Sequence, residues 1–248
     1  MDFKLKKTTF VLMTVMLIFG IKLNSMAACN LANAGKTCTF GRKYVRGEIQ
    51  HAQVTGAYAR ISTQYGILCG AQVNSTAVAA QAAWVGVQNN GKWAQIGWAY
   101  RRDSKGEKKI VYIECNGDKY VLEKFLPAPS NGSTQRYYVY QETLGIWYYH
   151  YSGSLLGECS DPFWIKNTGT GNVAQYCGEI RNEEDDMPGT KAKPFSFRNL
   201  GYRINYGRLT SVTLQYLTSS DSTKWDFVKI SSGFDMWDVC PGGNGNGN

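Results

Sequence analysis

The amino-acid sequence predicts an all-β protein, built as one jelly-roll β-sandwich of antiparallel sheets. Aromatic residues make up 13% of the 248 residues and there are only 6 prolines, a composition that suits pleated, half-buried strands. Short β-branched or aromatic runs alternate with clusters of Gly, Asn, Asp and Ser, and neither a linker nor an internal repeat interrupts them. Many short strands separated by regular turns are typical of a sandwich.

The clearest local signal is a hairpin between two strand-like runs. Residues 84–87 and 93–100 are separated by the Asn-Asn-Gly of 89–91, and an Asn-Gly step between such runs predicts a tight turn. An alanine-rich stretch, 75–83, fits either a helix or the approach to a buried strand. The other strand-like runs are 111–115, 137–141, 147–151, 210–217 and 227–231.

The two ends of the chain are expected to lie outside the fold. Residues 1–28 combine a lysine-rich start, a short apolar core over 10–21 and small residues at 25–28, which is the pattern of a secretory signal peptide rather than of a retained anchor. The Gly/Asn-rich tail 242–248 should be flexible. A single domain over 29–241 is left, and we expect it to be secreted, either extracellular or associated with the cell envelope.

The seven cysteines fit an oxidising compartment. Cys29 follows Met-Ala-Ala, which loosely resembles a bacterial lipobox, and its lipidation would leave six cysteines for three disulfides. In the alternative, cleavage is ordinary, Cys29 pairs with Cys38 and one thiol is left over. Contact with a membrane is expected only if Cys29 carries lipid.

Charge and histidine content disfavour several classes of function. The formal charge is +8, and removal of the predicted signal segment, with its four lysines and one aspartate, leaves +5. The sequence contains no cluster of Lys and Arg residues that could track a nucleic-acid backbone, so nucleic-acid binding is not expected. His51 and His150 are too few for a three-histidine metal site, and the familiar nucleophile, zinc and phosphate-loop motifs are missing. We expect neither a metal nor a cofactor.

Two strand-like segments carry the candidate catalytic residues. Side chains alternate along a strand, so Gln95 lies on one face of 93–100, between Trp93 and Gly97. A glycine beside a polar residue allows the backbone of a ligand to approach closely. In the second segment Glu179 shares a face with three residues: Gln175, Cys177 and Arg181.

At these residues the chain resembles the glutamic peptidases called eqolisins. In that family a Trp-Val-Gly strand, here 84–86, is followed by a catalytic glutamine in Gln-x-Gly, here beginning at Gln95, and a later strand supplies a catalytic glutamate, here Glu179. The Gly-Glu-hydrophobic run 178–180 is closer to the related neprosin-type enzymes, which have glutamate at the position of Gln95. The resemblance covers roughly 84–201, about half of the chain.

The resemblance implies a concanavalin-like β-sandwich with Gln95 and Glu179 in a concave groove, and an endopeptidase that cleaves polypeptides. Glu179 would take a proton from an attacking water and return it to the leaving amine. Gln95 would donate its amide N–H to the developing oxyanion. A mildly acidic pH optimum would follow.

The sequence departs from the eqolisin pattern after the glutamate. Arg181 and Asn182 stand where the family has an acidic residue and a tryptophan near the glutamate. Arg181, on the same face, should lower the pKa of Glu179 if the two come within ion-pair range. The acidic run 183–186 is expected to be a solvated loop.

A carbohydrate-binding module is the alternative function. Aromatic side chains in the groove could contact a peptide or stack on sugar rings. The candidates are Trp93, Trp98, Trp147 and Tyr149. Polysaccharide lyases on this scaffold use Gln-Ile-His, whereas Gly97 follows Gln95-Ile96 here. A glycoside hydrolase needs two carboxylates, and the sequence offers Glu179 no evident partner outside the acidic run. We expect a monomer that acts on a polypeptide or, alternatively, binds a glycan.

Overall fold

The computed structural model describes residues 38–51, 53–69, 79–89, 91–115, 120–122, 126–127, 129–143, 145–160, 172–222 and 224–239. The predicted signal segment, Cys29, Cys240 and the predicted tail lie outside the described residues. The signal peptide, the lipidation of Cys29 and the flexibility of the tail therefore stay predictions. Within the described ranges, no helix is long and apolar enough to cross a membrane.

The described residues form fifteen strands. In chain order they are β1 (Phe40–His51), β2 (Val54–Ser62), β3 (Ala79–Asn89), β4 (Lys92–Asp103), β5 (Gly106–Cys115), β6 (Tyr120–Leu122), β7 (Thr134–Thr143), β8 (Ile146–Tyr151), β9 (Ser154–Ser160), β10 (Asn172–Asn182), β11 (Phe195–Ile204), β12 (Leu209–Ser211), β13 (Tyr216–Ser219), β14 (Trp225–Ile230) and β15 (Gly233–Asp238).

The strands build two antiparallel sheets. The first sheet has the order β13-β1-β10-β3-β4-β5-β6, and the second has the order β14-β15-β11-β2-β7-β8-β9, with β12 paired to β11. Neighbours in space are often distant in sequence, as β1 beside β10 shows. The predicted fold class, an all-β jelly-roll β-sandwich of antiparallel sheets, is confirmed.

The predicted hairpin is present as β3 and β4. Asn89 pairs with Lys92 across the turn, and the pairing continues without a bulge to Ala79 opposite Arg102. Gly91 has a φ of 76°, in the left-handed region that glycine adopts most readily. The described part of the alanine-rich stretch is strand, so the helical alternative is wrong there.

The hydrophobic core lies between the two sheets, and its largest buried side chains are aromatic. Trp98 of the first sheet packs edge-on against Phe195 of the second, with ring centroids 5.9 Å apart. Phe197 and Phe234 stack at 4.6 Å. Burying each such side chain contributes about 1.5–3 kcal/mol. The opposite face of the first sheet carries polar and charged side chains, among them Gln95, Glu114 and Glu179.

Several strands were not predicted, and β1 shows why. Val45, Gly47 and Ile49 face the core, while Arg46 and Glu48 alternate with them on the other face. A glycine lies among the inward residues and charged residues lie among the outward ones. The alternation of apolar and polar residues that predicts a strand is therefore weak in this part of the sequence. The predicted run 210–217 is also corrected, since it divides into β12 and β13 with an irregular segment between them.

Two disulfides link parts of the sandwich. Cys38 bonds Cys69 with 5.4 Å between Cα atoms, and Cys115 of β5 bonds Cys159 of β9 with 6.4 Å. Cys177 is a buried free thiol. The predicted pairing of Cys29 with Cys38 is therefore wrong, and so is an arrangement in which all six cysteines after Cys29 form three bridges.

The bridge between Cys115 and Cys159 joins the first sheet to the second, and its loss is expected to lower stability. Replacing both cysteines by alanine should reduce the free energy of unfolding by about 2–4 kcal/mol, because the unfolded chain loses a cross-link. Urea unfolding of the oxidised protein measures this. Cys177→Ala is the matched control, since it removes a thiol without breaking a disulfide. An equal loss in both variants would contradict the expectation.

The acidic run 183–186 is solvated only in its first half, since Glu183 is exposed, and the predicted solvated loop is wrong for its second half. Asp185 and Asp186 are buried. The Asp185 carboxylate accepts hydrogen bonds from the backbone N–H groups of Cys69 (2.9 Å) and Ala80 (3.1 Å), and Lys224 donates to the Asp185 carbonyl oxygen at 2.7 Å. Burial nevertheless raises the pKa of the Asp185 carboxyl. These contacts fix the end of β10 against neighbouring segments of the chain.

Candidate functional site

The outward face of the first sheet carries a groove of about 490 Å³. Strands β1, β10, β3, β4 and β5 all contribute side chains to it, since their core-facing residues alternate with groove-facing ones. Both predicted catalytic residues, Gln95 and Glu179, line this groove. So do Gln175, Cys177 and Arg181, as the alternation along β10 predicts.

Small residues form the floor of the groove between β10 and β5. Glu179 is paired with Ala82 on β3, and Ala82 is paired with Ala99 on β4. Because alanine side chains are short, they do not fill the groove beside Glu179, and the carboxyl is contacted instead by Trp84.

Gly97 does not serve the close approach of a ligand that the sequence suggests. A Cβ atom at this position would lie 2.0 Å from the carbonyl oxygen of Ala83 and 2.7 Å from the Cα atom of Trp84. The space beside Gly97 is thus taken by strand β3. We infer that glycine is required here for packing of the two strands under the groove.

Gln95 is held in place by a carboxylate that the sequence analysis missed. Glu114 lies directly opposite Gln95 in the β4–β5 pairing. The Gln95 side-chain amide donates a hydrogen bond to the Glu114 carboxylate, and the Trp93 indole N–H donates to the same oxygen at 3.3 Å. The Tyr149 hydroxyl, from inside the sandwich, donates to the Glu114 backbone carbonyl at 3.1 Å. Glu114 could have been found from the register of the β4–β5 hairpin.

The two groove carboxyls are less acidic than ordinary glutamates. Burial raises the pKa of Glu114, and the nearby charge of Glu179 raises it further. Burial also raises the pKa of Glu179, while Arg42 and Trp84 act in the opposite direction. Arg181 would lower the pKa of Glu179 only within ion-pair range, and the arginine that lowers it in this structure is Arg42.

Two further polar groups near Glu179 are neutral. Burial raises the pKa of the Tyr112 hydroxyl and of the Cys177 thiol well above their ordinary values. The buried Trp84 indole N–H faces the Glu179 carboxyl and favours its ionised form through a hydrogen bond.

Three of the four predicted groove aromatics lie elsewhere. Trp98 is 0% exposed, Trp147 is 1% exposed and Tyr149 is 0% exposed, and all three belong to the core between the sheets. The prediction that they line the groove is wrong, because side chains packed between the sheets cannot contact a substrate. Trp93 does line the groove. Within the described ranges, no cluster of three or more His, Cys, Asp or Glu could hold a metal ion.

The architecture matches solved structures of glutamic peptidases. Scytalido-glutamic peptidase with a peptide-based transition-state analogue aligns with a TM-score of 0.54 and 13% identity. The same enzyme with a transition-state analogue inhibitor aligns with a TM-score of 0.54 and 10% identity. SCP-B, a member of the eqolisin family of peptidases, in complex with the tripeptide Ala-Ile-His, gives 0.51 and 12%. Each alignment covers 81% of this chain and 100% of the other.

These likenesses define the fold. No protein-family model matches the chain, and no curated protein sequence matches it. At 10–13% identity the likeness shows the architecture alone. This protein therefore has the β-sandwich fold of the glutamic peptidases, with a carboxyl-bearing groove on one sheet.

Proposed function

We propose that the protein is a glutamic endopeptidase that hydrolyses peptide bonds with Gln95 and Glu179. The observation that carries the proposal is that both side chains line one groove of a glutamic-peptidase fold. The glutamine at position 95 follows the eqolisin pattern, and the Gly-Glu run at 178–179 is the feature closer to neprosin-type enzymes.

The register separates Gln95 from Glu179 along the strands. Gln95 is paired with Gly86, and Gly86 is paired with Gln175, four residues from Glu179 on β10. The two backbones are thus offset by about 13 Å along the strands. Trp84, paired with Gly97 and with Cys177, lies at the level between them, so a peptide carbonyl and a water molecule would be bound beside its indole.

In the proposed reaction, Glu179 is the general base and then the general acid. The ionised carboxylate takes a proton from water while the water oxygen bonds to the scissile carbonyl carbon. Glu179 then returns the proton to the leaving nitrogen, and the C–N bond breaks. Because its pKa is raised, the acid limb of the activity profile is expected above the ordinary glutamate value of about 4.3.

Gln95 supplies the electrostatic part of the reaction. Its amide nitrogen carries two N–H groups, and Glu114 accepts one of them. The other is free to donate to the carbonyl oxygen as negative charge develops there. A donor whose direction is already fixed stabilises the transition state without reorganisation.

One observation favours a second candidate, a glycoside hydrolase. Glu114 is a second carboxyl in the same groove as Glu179, and a pair of carboxyls is what glycoside hydrolysis needs. Glu114, however, already accepts hydrogen bonds from Gln95 and Trp93. The carbohydrate-binding alternative loses support in the groove, because three of its four aromatic side chains are buried in the core.

We also propose that the mature protein is secreted and monomeric, and that it meets polypeptides outside the cell. Two disulfides within the described residues support an oxidising compartment. Contact with a membrane is proposed only if Cys29 is lipidated. Mass spectrometry of the exported protein tests for the lipid.

The direct test is hydrolysis by the mature protein between mildly acidic and neutral pH. A denatured protein substrate is incubated with the enzyme, and the products are identified by mass spectrometry. β-Glucans and galactans are tested in parallel for release of reducing ends. New peptide termini at mildly acidic pH support the peptidase. Release of sugar without peptide cleavage would replace it with the second candidate, and neither activity in a folded protein would contradict both.

A further inference from the structure

The groove is strongly basic at one end. Arg101 on β4 and Arg181 on β10 line it beyond Glu179, and Arg42 on β1 lines it beside them. In the strand pairing, Arg101 is level with Ala80 on β3 and with Lys108 on β5. Three strands thus bring arginine side chains to the same end of one groove.

The space between these arginines is open because the residues at its base are small. Ala80, Ala82 and Ala99 all line the groove there. Alanines carry no side chain beyond Cβ, so they leave a recess between Arg101 and Arg181. A recess with basic walls and a short floor can accept a small anionic group.

The other end of the groove has a different character. Gln88, Trp93 and Gln175 line it. The Gln175 amide donates to Gln88 at 2.6 Å and to Glu48 at 2.9 Å, so the amides there are tied to neighbours. The groove therefore has an amide-rich end, which includes Gln95 at the level of Gln175, and a basic end beyond Glu179, and a peptide would experience this difference along its length.

We propose that the basic end is a subsite for the carboxylate side chain of an aspartate or glutamate in the substrate, on the Glu179 side of the scissile bond. This inference rests on the proposed peptidase function and names its specificity. Arg101 and Arg181 are the specificity residues, and Arg42 adds positive charge beside them.

The chemistry favours a carboxylate over other anions that a peptide offers. A guanidinium binds a carboxylate through two parallel hydrogen bonds. Arg101 and Arg181 are partly buried, so water screens such a pair less than it screens one on an open surface. Arg42 already influences both groove carboxyls, since it lowers the pKa of Glu114 and of Glu179.

Quenched fluorescent peptides that differ at one residue test the inference. Glutamate, glutamine or lysine is placed in turn at each position near the scissile bond, and kcat/KM is measured. At one position the glutamate peptide should be cleaved about tenfold faster than the glutamine peptide, since a charge-assisted hydrogen bond supports a difference of that size. The preference should fade below about pH 4, where the substrate carboxyl is protonated.

Variants assign the preference to the arginines. The double variant Arg101→Gln/Arg181→Gln should bring the ratio of kcat/KM for the glutamate and glutamine peptides close to one. Arg60→Gln is the matched control, because Arg60 is exposed on the second sheet and should leave the ratio unchanged. A ratio near one in the wild type would overturn the inference and leave the peptidase intact.

A binding measurement tests the proposed subsite independently of peptide hydrolysis. If no peptide is cleaved, the proposed function fails, and calorimetry with Glu179→Gln then compares the affinities of the glutamate and glutamine peptides. Tighter binding of the glutamate peptide, lost in the double arginine variant, supports the subsite independently. Equal affinities overturn it, as does binding of polygalacturonate, an acidic polysaccharide, in place of both peptides.

Discussion

Replacement of Glu179 by glutamine is expected to abolish peptide hydrolysis while making the folded protein more stable at neutral pH. Glutamine keeps the shape of the side chain but cannot take a proton from water. Loss of a general base lowers kcat by about 10²- to 10⁴-fold. The measurement is kcat/KM on a peptide that the wild type cleaves, at the pH of its maximal activity.

The gain in stability follows from the raised pKa of Glu179. A raised pKa in the folded state means that folded protein holds the proton more tightly than unfolded chain does. The contribution of Glu179 to stability is therefore complete below the ordinary value of about 4.3 and is lost as the pH rises through the folded value. Since glutamine has no charge to bury, the melting temperature of the variant should exceed that of the wild type at neutral pH, and the difference should shrink in acid.

The control for this variant is Glu158→Gln. Glu158 is exposed on β9 of the second sheet, so neither activity nor melting temperature should change. A Glu179→Gln protein that loses activity together with stability would indicate that Glu179 holds the strand in place and does not act on substrate. Retained activity would remove Glu179 from the mechanism altogether.

The sequence was sufficient for the fold class and for the hairpin that carries Gln95, because both depend on local patterns. The Asn-Gly step fixed the turn between β3 and β4, and strict alternation placed Gln95 on the same face as Trp93 and Gly97, which the structure shows to be the face away from the core. The same alternation puts Trp98 on the opposite face, with Ala94 and Ile96. Trp98 was assigned to the groove because it is aromatic, although the alternation of side chains along the strand places it on the core face.

What the sequence could not supply depends on contacts between distant segments. Nothing near Asp185 in the chain predicts that backbone N–H groups of Cys69 and Ala80 will surround its carboxylate. An acidic run is solvated by default, and only the meeting of these segments changes that. Glu114 is an intermediate case, since its partner is 19 residues away and the register of one hairpin decides which residue faces Gln95.

The second large effect is expected at Gln95. Gln95→Ala removes the amide that would donate to the oxyanion, and loss of one such donor lowers kcat by about 10²- to 10³-fold. KM should change much less, because the interaction forms mainly in the transition state. The melting temperature and the circular dichroism spectrum report whether the strand is preserved. A rise in KM with kcat unchanged would assign Gln95 to substrate binding alone.

The pairing of Gln95 with Glu114 makes a sharper statement possible. If Glu114 acts only by orienting the Gln95 amide, then Glu114→Gln should lower kcat about tenfold in the wild type, since a charge-assisted hydrogen bond becomes a neutral one. The same substitution should have almost no effect in the Gln95→Ala background, where there is no amide left to orient. Non-additivity of this kind is what a shared interaction produces. Fully multiplicative losses would mean that Glu114 acts on substrate by itself, as a second catalytic carboxyl does in a glycoside hydrolase. This double-mutant cycle therefore distinguishes a peptidase in which Glu114 positions Gln95 from an enzyme in which Glu114 is the catalytic partner of Glu179.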